Sequence, residues 1–373
     1  MNHLKRCILF ALFLVPVFEA NATAATPSPN LLKTKQEAEA KGYAFITDHD
    51  EIVAKAKKEG QVRVVASMDS SNIKAQIAEF KKRYPFIDIH VHESQGTEAA
   101  KRLLLEIQSG TAKEWDVILV ASDFRSEYIP YIWKGDILGM ATHGVLRIPP
   151  LMVDRKNKNV VAVHTHFQVT VYNPALVPAN VIPKTWEDIL RPELKGNKFA
   201  VDIRPQEVAG LVPAWGLEKT LDFARKIAQQ QPLWVRGASR TMTAMQLGEV
   251  PMMIGPNFGS FKGMQRKDPA GVLRYVVLEP VPVRFGNEQA ILATSQHPNA
   301  GLLWLEWMAT PEARKINDEH EYNSSVYLRG SLAEQELKGK KLSVVDWEHQ
   351  HNMEKWQAQV FEAYGFPKAE SRK

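Results

Sequence analysis

The sequence has almost no cysteine and no long apolar run beyond its N-terminus. Its one cysteine among 373 residues is Cys7. Removal of the N-terminal segment would leave a chain without a thiol, which excludes disulfides, a cysteine nucleophile and thiolate metal sites. No segment after residue 25 is apolar enough to span a bilayer, which takes about 20 apolar residues. These absences favour an exported protein whose fold depends on its hydrophobic cores alone.

Motifs of the common hydrolases and nucleotide-binding enzymes are also missing. The sequence has no Gly-x-Ser-x-Gly elbow, no Walker loop and no Gly-x-Gly-x-x-Gly fingerprint. The metalloprotease pattern His-Glu-x-x-His is not completed, because Ser94 and Gln95 follow His92 and Glu93. We therefore expect a protein that is not an enzyme and that needs no cofactor.

The first 25 residues have the pattern of a secretory signal peptide. Lys5 and Arg6 precede an apolar run at 8–15, and small residues follow at 21–25. That order is typical of a cleaved signal peptide, and it predicts a periplasmic protein. Cys7 lies before the apolar run and not at the cleavage junction, so the sequence does not predict a lipid anchor.

Composition and charge are those of an ordinary globular protein. Hydrophobic residues make up 45% and charged residues 24%, with a formal net charge of +5. A mature chain of about 350 residues predicts two domains, since single cores stop growing near 250–300 residues. The positive charges are scattered rather than clustered, which favours a small anionic ligand and argues against nucleic acid.

The chain contains two blocks in which strands and helices alternate. In the first, strands predicted at 62–66, 87–92 and 115–120 are separated by helices at 73–84 and 98–107. Continuous apolar strands in this order are typical of a parallel sheet covered by helices. Ligands bind such sheets outside the carboxyl ends of the strands, where this sequence has polar segments.

A second block of the same kind extends from about 172 to 279. Strands are predicted at 198–203, 233–235 and 250–254. Helices are predicted at 221–230 and before Gly248. Helices dominate the rest of the chain, and Thr310 before Pro311 has the pattern of a helix N-cap.

Three stretches in this order resemble the family 1 extracellular solute-binding proteins, particularly the branch close to ferric-ion-binding proteins. Residues 239–251 match the family's loop, amphipathic helix, Gly-Glu and strand. Residues 185–196 are similar to its Thr-Trp connector, and residues 297–313 to its pair of helices. The resemblance covers roughly residues 59–330.

The resemblance implies an α/β fold, the type II periplasmic-binding clamp, in which two lobes face a cleft and two crossover strands form the hinge. The crossings would lie near 167–172 and 281–286. A helical C-terminal tail would be anchored by Trp347 and Trp356. The implied organisation is a signal peptide at 1–25, a leader and N-terminal helix at 26–58, the first part of lobe one at 59–166, lobe two with the hinge strands at 167–286, the return of lobe one at 287–330 and the tail at 331–373.

The resemblance also implies a function. The chain would be the periplasmic solute-binding component of an ABC importer, a monomer that closes on a small ligand and delivers it to a permease in the inner membrane. Ferric members hold iron with a carboxylate, a tyrosine pair and often a histidine. Here Asn257 and Phe258 stand in the region of the tyrosines, and only Asp123 stands where the metal carboxylate would fall. We therefore predict no metal site, with Asp123 as the one residue that a metal would use.

Arginines near the expected cleft point to the ligand. A guanidinium offers a planar fork that matches carboxylate or phosphonate groups, so the favoured ligand is a small organic anion. Five arginines lie at or beside segments that should face the cleft: Arg125, Arg204, Arg236, Arg240 and Arg284. Arg204 and Arg240 are the leading candidates, since both follow strands of lobe two. The predicted ligand-binding residues are Asp69, Ser70, Gln95, Thr97, Asp123, Tyr172, Arg204, Ser239, Arg240, Asn257 and Phe258.

Other functions stay open on the sequence alone. The alternatives are a ferric-ion-binding protein, a ligand sensor for a membrane receptor, which would share this fold, and a secreted hydrolase, whose common motifs are missing. The alternating pairs His90 with His92 and His164 with His166 have a spacing that can chelate zinc or copper.

Overall fold

The structure is a computed structural model that describes residues 27–268, 270–323, 325–327 and 329–366. The predicted signal peptide lies outside these residues. Within the described ranges, no helix is long and apolar enough to cross a membrane.

Strands and helices alternate through both predicted blocks, as the sequence indicates. The strands are β1 (Gln61–Ala66), β2 (Asp88–Glu93), β3 (Val117–Leu119), β4 (Val160–Tyr172), β5 (Ala200–Asp202), β6 (Leu233–Val235), β7 (Met252–Asn257), β8 (Arg274–Val276), β9 (Val281–Ile291) and β10 (Leu342–Val345). The helices are α1 (Pro29–Ala40), α2 (His49–Glu59), α3 (Ser70–Arg83), α4 (Gly96–Gln108), α5 (Arg125–Tyr128), α6 (Ile137–Thr142), α7 (Gln206–Ala209), α8 (Val212–Trp215), α9 (Leu217–Gln229), α10 (Ala238–Gln246), α11 (Phe258–Arg266), α12 (Pro298–Met308), α13 (Pro311–Glu321), α14 (Leu332–Glu336), α15 (Trp347–Gln350) and α16 (Met353–Ala363).

Lobe one is built on the parallel strands β2, β1 and β3, to which β9 adds an antiparallel neighbour. The apolar residues of these strands are buried under the helices, while Arg63 of β1 and the polar positions of β2 are exposed. Phe80 of α3 and Trp304 of α12 are fully buried there, with ring centroids 5.6 Å apart. Thr310 caps α13 by accepting a hydrogen bond from the Ala313 backbone, which confirms the predicted N-cap.

Two long strands connect the lobes. Residues 160–167 of β4 pair with β9. Residues 168–172 pair with β7, with a register shift between Gln168 and Thr170, and residues 170–172 also pair with β8. β9 pairs with β10 at its start and with β3 at its end. β4 therefore pairs with strands of both lobes, and β9 runs beside it from the C-terminal tail into the sheet of lobe one.

Lobe two contains a second sheet with an apolar core on each face. β7, β5 and β6 are parallel to one another, and β7 pairs with β4 in antiparallel orientation. One core contains Phe223 and Ile227 of the amphipathic helix α9. The other contains Met242 of α10 and Phe258 of α11. The two cores hold the carboxyl ends of β5 and β7 toward lobe one.

The C-terminal tail differs from its prediction as an all-helical segment. β10 pairs in parallel with residues 281–284 of β9, and burial alternates along residues 342–345 as in a half-buried edge strand. Trp347 is an anchor as predicted: its ring stacks on Phe285 at 4.3 Å and its Nε1 donates to the Leu151 carbonyl at 2.8 Å. Trp356 is partly buried against the core that contains α9. The tail thus contacts both lobes.

Candidate functional site

Three pairs of polar side chains join the lobes at the carboxyl ends of their parallel strands. Thr97 and Glu98 follow β2, Asp123 follows β3, and the partners from lobe two follow β5 and β6. This is the position at which α/β sheets bind ligands. The bridging contacts are Arg204 Nη1 to Thr97 Oγ1 at 3.0 Å, Gln206 Nε2 to Asp123 Oδ1 at 2.5 Å, and Arg236 Nη2 to Glu98 Oε1 at 3.4 Å.

A polar cavity of about 60 Å³ lies in lobe two beside these contacts. Its wall combines an arginine, two carboxyl groups and three side-chain amides with a short apolar backing. The lining residues are Gln168, Asp202, Arg204, Gln206, Glu207, Ala238, Met253, Gly255, Pro256 and Asn257. The predicted residues Arg204 and Asn257 are therefore neighbours in the folded protein, although 53 positions separate them in the chain.

Arg204 is held in place by Asp202. Its Nε donates to Asp202 Oδ1 at 3.2 Å and its Nη2 to Asp202 Oδ2 at 2.8 Å. These hydrogen bonds raise the pKa of Arg204, with the charge of Asp202 adding to the effect. Together with the bond to Thr97, they occupy three of the five guanidinium N–H groups. The other two remain available to a ligand.

Glu207 and Arg284 set the charge behind the cavity. Glu207 is only 4% exposed, and its burial, assisted by the charge of Asp202, raises its pKa well above the usual range. Arg284 on β9 has its pKa lowered by burial, with an opposing contribution from Asp123. A guanidinium still keeps its proton at neutral pH. The charged groups around the cavity are therefore two guanidinium groups, Arg204 and Arg284, and two carboxylates, Asp202 and Asp123.

The predicted residues of lobe one form a polar cluster on the opposite side of the cleft. Gln95 Nε2 donates to Asp69 Oδ1 at 2.7 Å. The Ser70 hydroxyl donates to a Glu93 carboxylate oxygen at 2.5 Å. The Thr97 hydroxyl donates to Asp123 Oδ2 at 3.5 Å, and Asp123 lies in the short 3₁₀ turn Ser122–Phe124. These bonds satisfy each side chain locally, so lobe one presents a rim that is already hydrogen-bonded.

The structure corrects several of the predicted positions. Phe258 is 1% exposed and stacks on Phe167 at 4.6 Å, so it belongs to the core and not to the cleft wall. Tyr172 lies at the end of β4, packed against the lobe-two core. Ser239 and Arg240 are exposed in the first turn of α10, and only Ala238 of that helix lines the cavity.

Arg125 also has a different place from the one its sequence position suggests. It is buried and pairs with Asp154 at 2.6 Å and with Glu288, and it lies 5.3 Å from the ring of Trp347. Arg125 therefore connects lobe one to the C-terminal tail.

Four polar lining residues were missed by the sequence analysis. Asp202 and Gln206 flank Arg204 in the turn after β5, so the same signal that selected Arg204 could have selected them. Gln168 lies within a hinge strand that reads as an ordinary apolar run. Glu207 carries no sequence signal, because only packing shows that a carboxyl group is buried.

Among the residues that the structure describes, no group of three or more His, Cys, Asp or Glu side chains is arranged to hold a metal ion. The rings of His90 and His92 lie against Trp115, at 6.2 and 5.6 Å. His164 and His166 face each other across Gly286, with their Nε2 atoms 3.3 Å apart. Arg284 is the partner of His166 on β9, and its positive charge opposes a cation at this pair.

Acid should destabilise the protein through His164 and His166. Burial lowers the pKa of His164 to about 3, and burial with the neighbouring ring lowers that of His166 well below its usual value. In the unfolded state each histidine takes up a proton at about pH 6.5, whereas in the folded state it stays neutral to a lower pH. The folded state therefore has its full stability above about pH 6.5 and loses stability as the pH falls below that value. We expect each histidine to lower the unfolding free energy by about 1.4 kcal/mol per pH unit between about pH 6 and 4.

Urea denaturation at several pH values measures this slope. His164→Gln should remove one histidine's share of it, and His90→Gln, at an exposed ring, should leave it intact. Equal slopes for the parent protein and His164→Gln would contradict the assignment.

The sequence comparison identifies the family. A family model described as bacterial extracellular solute-binding protein matches residues 66–315, which is more than half of the chain. The chain belongs to the bacterial extracellular solute-binding protein family. A comparison with curated protein sequences finds no match.

Solved structures similar to this solute-binding protein share its fold. Iron-bound HitA from Pseudomonas aeruginosa has a TM-score of 0.59 at 17% identity, covering 80% of this chain and 99% of that one. A ferric binding protein from Campylobacter jejuni has a TM-score of 0.63 at 15% identity, covering 82% and 100%. The Trichodesmium protein IdiA (FutA), in complex with iron and citrate ligands, has a TM-score of 0.62 at 16% identity, covering 82% and 98%. At these identities the likeness shows the fold alone.

Family membership makes this chain a solute-binding protein of an ABC transporter, and it implies an extracytoplasmic, periplasmic location. It confirms the resemblance predicted from the three sequence stretches. The neighbours are two-lobed periplasmic binding proteins, which confirms the predicted fold class. The family is one of binding and transport proteins rather than enzymes.

Proposed function

We propose that this protein captures a small oxyanion, such as a carboxylate or phosphonate, between its two lobes and delivers it to an inner-membrane permease. The observation that carries the proposal is the position of Arg204. Its guanidinium lies at the wall of the polar cavity, reaches Thr97 of lobe one, and keeps two N–H groups without a partner among the residues that the structure describes. A guanidinium with free N–H groups matches an oxyanion in both charge and geometry.

Contacts near the cavity support an anion over a cation. Asp202 is paired with Arg204, and the positive charge of Arg284 on the hinge strand is opposed by the negative charge of Asp123. Burial raises the pKa of Glu207 well above its usual range, which favours its neutral form. A cation would find both nearby carboxylates in use, since Asp202 accepts bonds from Arg204 and Asp123 accepts one from a lobe-two amide.

The size of the cavity limits what it accepts. A volume of about 60 Å³ corresponds to roughly four to six water molecules at about 10–15 Å³ each. This is enough for one carboxylate, phosphonate or sulfonate group. Any larger part of the solute would extend into the cleft between the lobes.

Closure of the clamp provides the delivery step. The bridging contacts of Arg204, Gln206 and Arg236 exist only when the lobes are close together. A ligand that touches both lobes stabilises this closed form by its differential affinity. The permease would then recognise the closed protein.

A thermal-shift screen followed by calorimetry tests the proposal on the mature protein. Carboxylates, phosphonates, sulfate, ferric salts and neutral sugars should be compared at equal concentrations. We expect one or more small oxyanions to raise the unfolding midpoint without iron. A rise only with ferric salt would replace the proposal with iron binding, and turnover of an ester or phosphate substrate would contradict a purely binding role.

A further inference from the structure

Glu207 is a buried carboxyl group that lines the cavity and makes no salt bridge within the part of the chain that the structure describes. It is 4% exposed, it lines the cavity, and its Oε1 atom has no hydrogen-bond partner among the described residues. Gly255 packs against its side chain: a Cβ at that position would lie 2.3 Å from Glu207 Cγ. A glycine is therefore required where the Glu207 side chain enters the wall.

Buried polar groups in native proteins are nearly always hydrogen-bonded, because an unpaired one costs about 1–3 kcal/mol. An unpartnered carboxyl group at a cavity wall is therefore a candidate for bonding to a ligand. Asp202 is not equivalent, since its oxygens already accept bonds from Arg204 and Gly237. Glu207 is thus the carboxyl group of this wall that keeps one oxygen, Oε1, without a hydrogen-bond partner among the described residues.

The groups around Glu207 determine its protonation. Asp202 on β5 repels a negative charge there, while Arg204 after β5 and Arg284 on β9 oppose that effect less strongly. Tyr364, just after α16, is also buried, and its raised pKa is due first to burial and then to Glu207 and Asp202. β7 contributes Gly255, which has no charge. Burial is the largest of these effects and raises the pKa of Glu207, so it favours the neutral carboxyl group, whose O–H can donate.

We propose that Glu207 determines ligand specificity: its carboxyl O–H donates to one oxygen of the bound oxyanion, while a free N–H of Arg204 donates to another. This inference rests on the proposed function. The proton stays on Glu207, and no bond is formed or broken. The site then selects solutes that present at least two unprotonated oxygens. These oxygens must be spaced like the oxygens of a single carboxylate, phosphonate or sulfonate group.

Binding by a protonated carboxyl group has a pH dependence that an arginine site alone lacks. Once Glu207 loses its proton, it becomes a second acceptor and a negative charge facing an anion. Affinity should therefore fall as pH rises. The amide of Glu207→Gln has the same shape and keeps two N–H donors at every pH, so it should bind with an affinity that no longer depends on pH.

Sulfate is a suitable probe, because its own charge does not change across the range in which side-chain carboxyl groups titrate. Calorimetric titration of the mature protein with sulfate should give an affinity at about pH 5 that is about tenfold higher than at about pH 8.5. Glu207→Gln should bind sulfate equally at both. Glu218→Gln, the same change at an exposed glutamate of α9, should retain the full pH dependence.

The outcomes separate this inference from the proposed function. Sulfate binding that is equal at both pH values in the parent protein, or an unchanged pH dependence in Glu207→Gln, overturns the role of Glu207 and leaves the oxyanion function standing. Failure of the parent protein and both variants to bind sulfate or any other oxyanion of the screen, at either pH, overturns both proposals. The infrared C=O band of a protonated carboxyl group, present in the ligand-free parent and lost in Glu207→Gln, provides a second readout. Its absence from the parent also overturns the inference.

Discussion

Replacing Arg125 with methionine should lower the free energy of unfolding by about 3–5 kcal/mol, because the change leaves two buried carboxylates without their cation. The Arg125 side chain is 4% exposed, and it pairs with Asp154 and Glu288, which are equally enclosed. It also lies over the ring of Trp347, so its loss loosens the contact between lobe one and the tail. Urea denaturation with circular dichroism detection measures the change.

The matched control is Arg102→Met. Arg102 pairs with Glu106 at 3.8 Å on the exposed side of α4, and surface pairs of this kind contribute about 0.5 kcal/mol or less. Arg125 keeps the pKa of Asp154 below its usual value, so this part of the stabilisation is present above about pH 4 and disappears as the pH falls further. Equal losses for Arg125→Met and Arg102→Met at neutral pH would show that the buried cluster does not stabilise the fold.

Replacing Arg204 with methionine should lower affinity for the oxyanion selected in the screen by about 2 kcal/mol, or roughly thirtyfold. The variant removes both free N–H groups and the bond to Thr97. It also leaves Asp202 without its bidentate partner, so a carboxylate would face the anion. Calorimetry gives the affinity, and the unfolding midpoint without ligand shows whether the variant is folded.

Arg236→Met provides the comparison. Arg236 also crosses the cleft, but its side chain is 58% exposed and its partner Glu98 is 90% exposed. An exposed pair at this distance contributes little, and we expect a change within about 0.5 kcal/mol together with a weaker dependence on salt. If Arg236→Met weakened binding as much as Arg204→Met, the ligand would lie at the rim of the cleft and not at the cavity.

Several elements of the fold were predictable because their signals are local. The strand at 62–66 and the helix after it follow from the spacing of apolar residues, and the structure places β1 and α3 there. The N-cap at Thr310 follows from residue type alone. The edge strand β10 was not predicted, because a four-residue strand depends on a partner more than 50 residues away.

Site residues were predictable only as far as their position after a strand decides their surroundings. Arg204 and Asn257 both end a lobe-two strand, and both line the cavity. Phe258 is one residue further on, yet it begins α11 and turns into the core. Arg125 reads like a cleft arginine, but its partners Asp154 and Glu288 come from distant segments.

The amino-acid sequence by itself determined the alternating α/β architecture, the family and the group of polar segments from which a site could be built. These depend on periodicity, residue type and segment order, which are properties of neighbours along the chain. Only the tertiary structure decided which side chains face the cavity, that Arg204 is held by Asp202, and that Glu207 is buried with an unused oxygen. Burial and hydrogen-bond partners arise when distant segments pack together, and that packing sets the charge and protonation of the site.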